Sequence, residues 1–413
     1  MARIPVAVLK FGGTSMADRE RIRDVAEIVM RKRTAGRRVV VVVSARAKQT
    51  DGFIDEARTF TSNPSPREID MLLSSGERIS AALLSIALNA MGCPALALSG
   101  SQAGIITDDQ HTNARIIEIR PSRLLHAIED DCVPVVGGFQ GVSFTKEITT
   151  LGRGGSDVTA VALASALDAD VCEIYSDVDG VFSADPRLVG NAGRLEDISY
   201  QEMQEMGEAG ARVLHPGSVE FAKIKKTIIH AKCTMEPDGA GTFIRDLEGS
   251  IKPRVVGVAH EEKIILLRIE EESGEDMKSL YALAGIFEKE GVKTKQMSFH
   301  PDLHGRLVGS LVIPEKENYG IEAVLERLSA GFEPTLRILR NCSAVSLIGT
   351  GITDRHTCLL SSLALLRQSA IKVAGLQTSS FRISFLTDRS RMAEAVQLFH
   401  RHFIEQPQES GPV

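Results

Sequence analysis

Short apolar, β-branched runs alternate with helical spacings of apolar residues over the first three-fifths of the chain. Residues 6–10, 39–44, 95–98, 133–137 and 171–175 are almost wholly apolar, the pattern of strands buried on both faces. Between them, residues 18–32, 68–91, 120–129 and 157–167 place apolar side chains three and four apart, which predicts helices. Alternation of the two up to about residue 245 predicts an α/β domain with a mostly parallel sheet. The stretch 59–66, rich in Ser, Thr and Pro, reads as loop.

After Gly241 the rhythm changes. Strand patterns at 255–268, 294–299 and 306–313 and helical ones at 276–290 and 319–328 are followed by a second, similar set: strands at 344–348, 372–377 and 381–386, helices at 358–369 and 392–403. A strand-helix-strand-strand-helix unit used twice predicts two small α/β sandwich modules. The expected division is a large domain over 1–248, modules over 249–340 and 341–405, and a loose tail over 406–413. A length of 413 residues fits such a division, being too long for one ordinary core.

Charge narrows the partners. The chain carries 48 Lys and Arg against 54 Asp and Glu, a net charge of -6, with no basic block that could neutralise a row of phosphates. Nucleic-acid binding therefore has little support, and a small-molecule ligand is expected. The first residues lack the plan of a signal peptide, and no run reads as a membrane span, so a cytoplasmic protein with no membrane partner is expected. Cys93, Cys132, Cys172, Cys233, Cys342 and Cys358 are scattered, without metal-ligand spacing, and are expected to be reduced thiols. No metal-binding residue is assigned.

Four segments carry candidate chemistry. The first strand runs into Lys10-Phe11-Gly12-Gly13-Thr14-Ser15, where two glycines let the backbone approach an anion and Lys10 can stand over phosphates. A Gly-Gly pair alone is equally a structural turn. The second, Gly152-Arg153-Gly154-Gly155-Ser156-Asp157, also opens a helix, where Ser156 or Asp157 could be a simple cap. The third, Ser176 to Arg187, includes Asp177, Asp179, Phe182 and Asp185 and lacks the closing Glu of a calcium loop. It reads either as a solvated loop or as a nucleotide wall. The fourth is Ser74-Ser75-Gly76-Glu77-Arg78, where Glu77 could serve only the helix dipole. No GxxxxGK[ST] loop and no HRD or DFG sequence occurs, and His111, His215 and His230 stand isolated.

KFGGTS, VVSARAKQTD, LLSSGERIS, TLGRGGSDVTA, IYSDVDGVFSADPR and GARVLHP follow one another in this order. With them in view the chain resembles the aspartate kinase family over essentially its full length. SQAGIITDDQHTNARI and PVVGGFQG resemble in particular the short diaminopimelate-sensitive type of spore-forming bacteria. The resemblance implies an amino-acid kinase sandwich followed by two ferredoxin-like ACT modules. It implies MgATP as phosphoryl donor and L-aspartate as acceptor, an amino-acid effector at the modules, and a homodimer formed through them. By position, Lys10, Gly12, Gly13 and Ser15 would hold ATP phosphates. Ser44, Thr50, Glu77, Arg153 and Asp157 would surround aspartate. Ser176, Asp177, Phe182, Arg187 and Arg212 would form the nucleotide side, with Lys10 and Asp157 closest to the chemistry.

The family's usual Ala-Met-Gly after the second-motif serine is replaced by Ala45-Arg46-Ala47, Gly217 stands where arginine is common, and Lys232-Cys233-Thr234 replaces an Arg-Ser-Ser or Arg-Ser-Thr segment. The first module has Ser273-Gly274-Glu275-Asp276-Met277 in place of an Asp-Arg-Pro-Gly-like turn. The second, Gly351 to Thr357, keeps Asp354-Arg355 and lacks Pro-Gly. Weak or altered feedback inhibition is expected. Two other readings stand beside an active aspartate kinase: a kinase of an aspartate analogue, and a catalytically idle amino-acid-sensing subunit.

Overall fold

The computed structural model describes residues 5–211, 213–247, 253–271, 277–318, 320–332 and 336–406. The chain forms two units, Met1–Phe182 with Gly193–Glu208 and Arg212–Ile251, and Ser183–Ala192 with Ala209–Ala211 and Lys252–Val413. The second unit thus takes in two short segments, 183–192 and 209–211, that the sequence reading had placed in the large domain.

An eight-stranded sheet organises the first unit. Its order is Asp197–Ile198, Thr242–Ile244, Ile229–Cys233, Val171–Ser176, Val6–Phe11, Arg38–Val43, Val133–Gly137 and Ala95–Leu98. Every neighbouring pair is parallel except Ile229–Cys233 with Thr242–Ile244. The central strands are apolar throughout because both faces are covered. Ala7, Leu9, Phe11, Val39, Val41 and Val43 pack against helices Arg19–Thr34 and Pro66–Ala90. The alternate residues Val8, Val40 and Val42 face the other way, where Gly155–Ala166 lies.

A smaller four-stranded sheet, in the order Ile116–Ile119, Ile105–Thr107, Gln140–Ser143 and Ile148–Thr150, was not expected from sequence. Its strands are only three or four residues long, too short to display a period. One sequence expectation is corrected. Helix Pro66–Ala90 is, by length and composition, apolar enough to cross a membrane, although no run had been read that way. Its Leu73, Ala81, Leu84 and Leu88 are buried, with Ala81, Leu84 and Leu88 in the sheet core, and Asp70 and Glu77 are buried on it too, so its apolar length serves a protein interior.

The second unit is built on a six-stranded antiparallel sheet, ordered Lys295–Pro301, Leu307–Pro314, Gly257–Glu271, Leu336–Ile348, Arg382–Asp388 and Val373–Thr378. The first module uses Gly257–Glu271, helix Lys278–Glu290, Lys295–Pro301, Leu307–Pro314, helix Ile321–Phe332 and Leu336–Ile348, giving the ferredoxin-like strand order 4-1-3-2. The second starts on Leu336–Ile348 and receives its fourth strand from residues 257–261, which pair with 344–348. The expected boundary at 340/341 therefore falls inside a strand that both modules share. The first-module turn at 273–276 and the tail from 407 lie outside the described residues.

Candidate active site

The carboxyl ends of three adjacent strands open onto one cleft of ≈ 400 Å³ in the first unit. Lys10 is the penultimate residue of the strand Val6–Phe11, and its Nζ lies 2.6 Å from Asp157 Oδ1. Asp157 sits in the first turn of Gly155–Ala166, whose free amides favour negative charge. Ser44 follows the strand Arg38–Val43, and Thr50 stands in the first turn of helix Gln49–Phe60; both line the cleft.

Glu77 arrives from the middle of Pro66–Ala90. Gly76 allows this, since a Cβ there would stand 2.8 Å from that of Ala45. The close approach lets the Ala45 amide donate to Glu77 Oε1 at 3.2 Å, while Oε2 is buried with no hydrogen-bond partner. Burial pushes the Glu77 carboxyl up to about 7. Arg153, in the glycine turn, is exposed at the cleft and makes no ion pair with the described residues. The cleft thus holds one internally paired cation, one uncommitted guanidinium, the exposed carboxylate of Asp51 and, in Glu77, a buried carboxyl without a counter-charge.

The turn geometry depends on Gly154, which has φ 76 and would direct a Cβ to within 2.2 Å of the His215 ring. Gly154→Ala is expected to destabilise the protein by about 2 kcal/mol or more, from left-handed backbone strain plus the clash. A lowered thermal midpoint is the readout, and an unchanged midpoint would show that the turn relaxes freely.

The structure brings Lys10, Ser44, Thr50, Glu77, Arg153 and Asp157 together. Gly12 and Gly13 form the turn after Lys10, and a Cβ on Gly13 would meet the Ala45 carbonyl at 2.8 Å. Ser15 does not line the cleft: its buried hydroxyl is bonded to Thr234 Oγ1 at 2.7 Å. Ser176 ends the strand Val171–Ser176 and shares hydrogen bonds with Val178, Asp177 is exposed beside it, and Phe182 bridges to Arg194. Arg187 belongs to the second unit, where Asp185 holds its guanidinium at 2.6 Å. Arg212 lies outside the described residues.

Sequence reasoning missed Asp70, Thr112, Phe139 and Thr150, of which the last three line the cleft. Asp70 stood seven positions before Glu77, on the same helix face, which was the available signal. Among the described residues no three His, Cys, Asp or Glu side chains gather to hold a metal. The cleft does offer hard oxygen donors, Asp157, Ser44 and Thr50, which fit a magnesium ion arriving on phosphates.

The sequence that builds this sheet and its glycine turns matches the Amino acid kinase family over residues 5–230. The chain is 41% identical over 413 residues to the aspartokinase of Mycolicibacterium smegmatis, covering 96% of both chains. It is 37% identical over 399 residues to aspartokinase 2 of Bacillus subtilis, covering 96% of this chain and 97% of that one. Among solved structures, that of Escherichia coli aspartokinase III in complex with aspartate and ADP is similar in fold. The TM-score is 0.78 at 23% identity, over 96% of this chain and 99% of that one. The chain belongs to the amino acid kinase family and, within it, to the aspartokinases.

Proposed function

We infer that this protein transfers the terminal phosphoryl group of MgATP to the side-chain carboxylate of L-aspartate, giving 4-phospho-L-aspartate and ADP. The observation that carries the reading is the pairing, in one cleft, of an uncommitted Arg153 with a Glu77 that lacks a counter-charge. An α-amino acid brings a carboxylate for the first and an ammonium for the second. Lys10, fixed by Asp157, then faces the phosphates beside the Gly12-Gly13 turn.

The attacking carboxylate is ionised at neutral pH, so no side chain need remove a proton. The protein's work is to place donor and acceptor in line and to neutralise charge on a loose transition state. Magnesium, when bound with the nucleotide, supplies further neutralisation of phosphate charge. We read the second unit as paired ACT modules that take an amino-acid effector and join two chains as a homodimer, and the protein as cytoplasmic.

A coupled ADP-release assay with MgATP and a panel of L-aspartate, D-aspartate, L-glutamate and acetylglutamate tests the reading. Turnover is expected with L-aspartate. Folded protein with none would refute it, and preferred turnover of another acceptor would move the assignment to that compound.

A further inference from the structure

We propose that Asp70 is the positioning residue for the amino-acid side of the cleft, fixing from one buried carboxylate the distance between Arg153 and Glu77. The proposal rests on the aspartate reading above. Asp70 is fully buried on helix Pro66–Ala90, two turns before Glu77, and does not line the cleft. Its carboxylate accepts from His111 Nδ1 at 2.7 Å, from the Thr112 amide at 3.0 Å on each oxygen, and from the Thr150 hydroxyl at 2.5 Å.

These bonds tie three elements to one point. Thr112 belongs to the segment between strands Ile105–Thr107 and Ile116–Ile119, and Thr150 ends Ile148–Thr150; both residues border the cleft. The tie extends to Arg153. A Cβ on Gly152, the residue before it, would meet Asn113 Oδ1 at 2.8 Å and the Thr112 carbonyl at 3.3 Å, so the clamped segment abuts the turn that carries the guanidinium. The Ala114 amide also donates to the Thr150 carbonyl at 2.8 Å.

Geometry gives this clamp a use. The α-carboxylate and α-ammonium of an amino acid share one carbon, so their separation is fixed, and the groups that receive them must match it closely. Glu77 is rigid on the helix, whereas Arg153 sits on a glycine turn. Joining that turn's neighbour to the same helix removes the freedom that would loosen the match. A buried carboxylate is costly to desolvate, and an apolar side chain would fill the space at lower cost. Its retention makes sense where its several acceptor sites hold separate strands in register.

The test uses the full chain with Asp70→Asn, in which an amide NH2 faces donors that the carboxylate accepted. The KM for aspartate is expected to rise about tenfold or more, with the KM for MgATP within about twofold, and the Thr112 amide is expected to exchange hydrogen faster. His111→Ala, which removes one bond at a partly exposed site, should move the aspartate KM in the same direction by about threefold and serves if Asp70→Asn does not fold. An unchanged aspartate KM in either folded variant, or equal rises in both KM values, would overturn the positioning role. If the unsubstituted protein shows no aspartate turnover, the functional reading fails by itself. Amide exchange then decides the clamp, and unaltered exchange at Thr112 in Asp70→Asn refutes it.

Discussion

Lys10→Ala is expected to lower kcat by at least about a hundredfold, some 2.7 kcal/mol of transition-state stabilisation, while aspartate still binds. Two effects add. The variant removes the cation at the glycine turn, and it leaves Asp157, now 2.6 Å from nothing positive, beside the incoming phosphates. An unpaired negative charge there opposes the approach of the nucleotide as well as its reaction. Lys10→Arg is not expected to restore the rate, because a planar guanidinium cannot place its charge where the compact ammonium sits. Asp157→Asn should fall by a similar factor through loss of lysine orientation. Steady-state kinetics with circular dichroism as the fold check measures this, and near-normal turnover in either alanine or asparagine variant would remove these residues from the mechanism.

The central sheet was legible because its strands are buried on both faces and so read as unbroken apolar runs at 6–10, 39–44 and 133–137. Helix Gln49–Phe60 was not, because it is short, Gly52 interrupts its first turn, and its apolar positions Phe53, Ile54 and Ala57 are only partly buried. Helix Pro216–Lys225 begins on a proline, which reads as a breaker until its place in the first turn is known. The repeated small modules were visible as a pattern. Their shared sheet was not, since the pairing of residues 257–261 with 344–348 joins segments more than eighty positions apart.

At the site, the residues that sequence could nominate were those in glycine turns or at helix starts, where chemistry leaves a local signature. Lys10, Arg153 and Asp157 are of that kind, and they meet in one cleft. Ser15 had the same local signature, but a partner 219 positions away claims its hydroxyl. Asp70 had only its helical spacing from Glu77, because its partners lie 41 to 80 positions further on and one of them is a backbone amide. Sequence spacing shows what an element can present. Only the fold shows what is already engaged.

The affinity for aspartate is expected to weaken about fivefold between pH 7 and pH 6, and toward about tenfold per unit below that, through Glu77. Burial holds this carboxyl up to about 7, offset only in part by the backbone amides of Ala45 and of Glu77 itself, while Lys10 is taken by Asp157. The substrate ammonium requires the ionised form, so below pH 7 binding must also remove a proton, at about 1.4 kcal/mol per pH unit. Glu77→Gln should bind aspartate weakly at every pH and lose this dependence, while the KM for MgATP stays flat in both proteins. The stability sign runs the other way. A raised acid pKa means the folded protein holds its proton where the unfolded chain has lost it. Glu77 therefore costs no stability below its ordinary value of 4.5 and progressively more as pH rises to about 7, on the order of 3 kcal/mol. At pH 8 the glutamine variant should then be the more stable protein and the poorer binder. An aspartate KM that does not change between pH 6 and 8, in protein whose MgATP KM is likewise constant, would remove Glu77 as the ammonium partner.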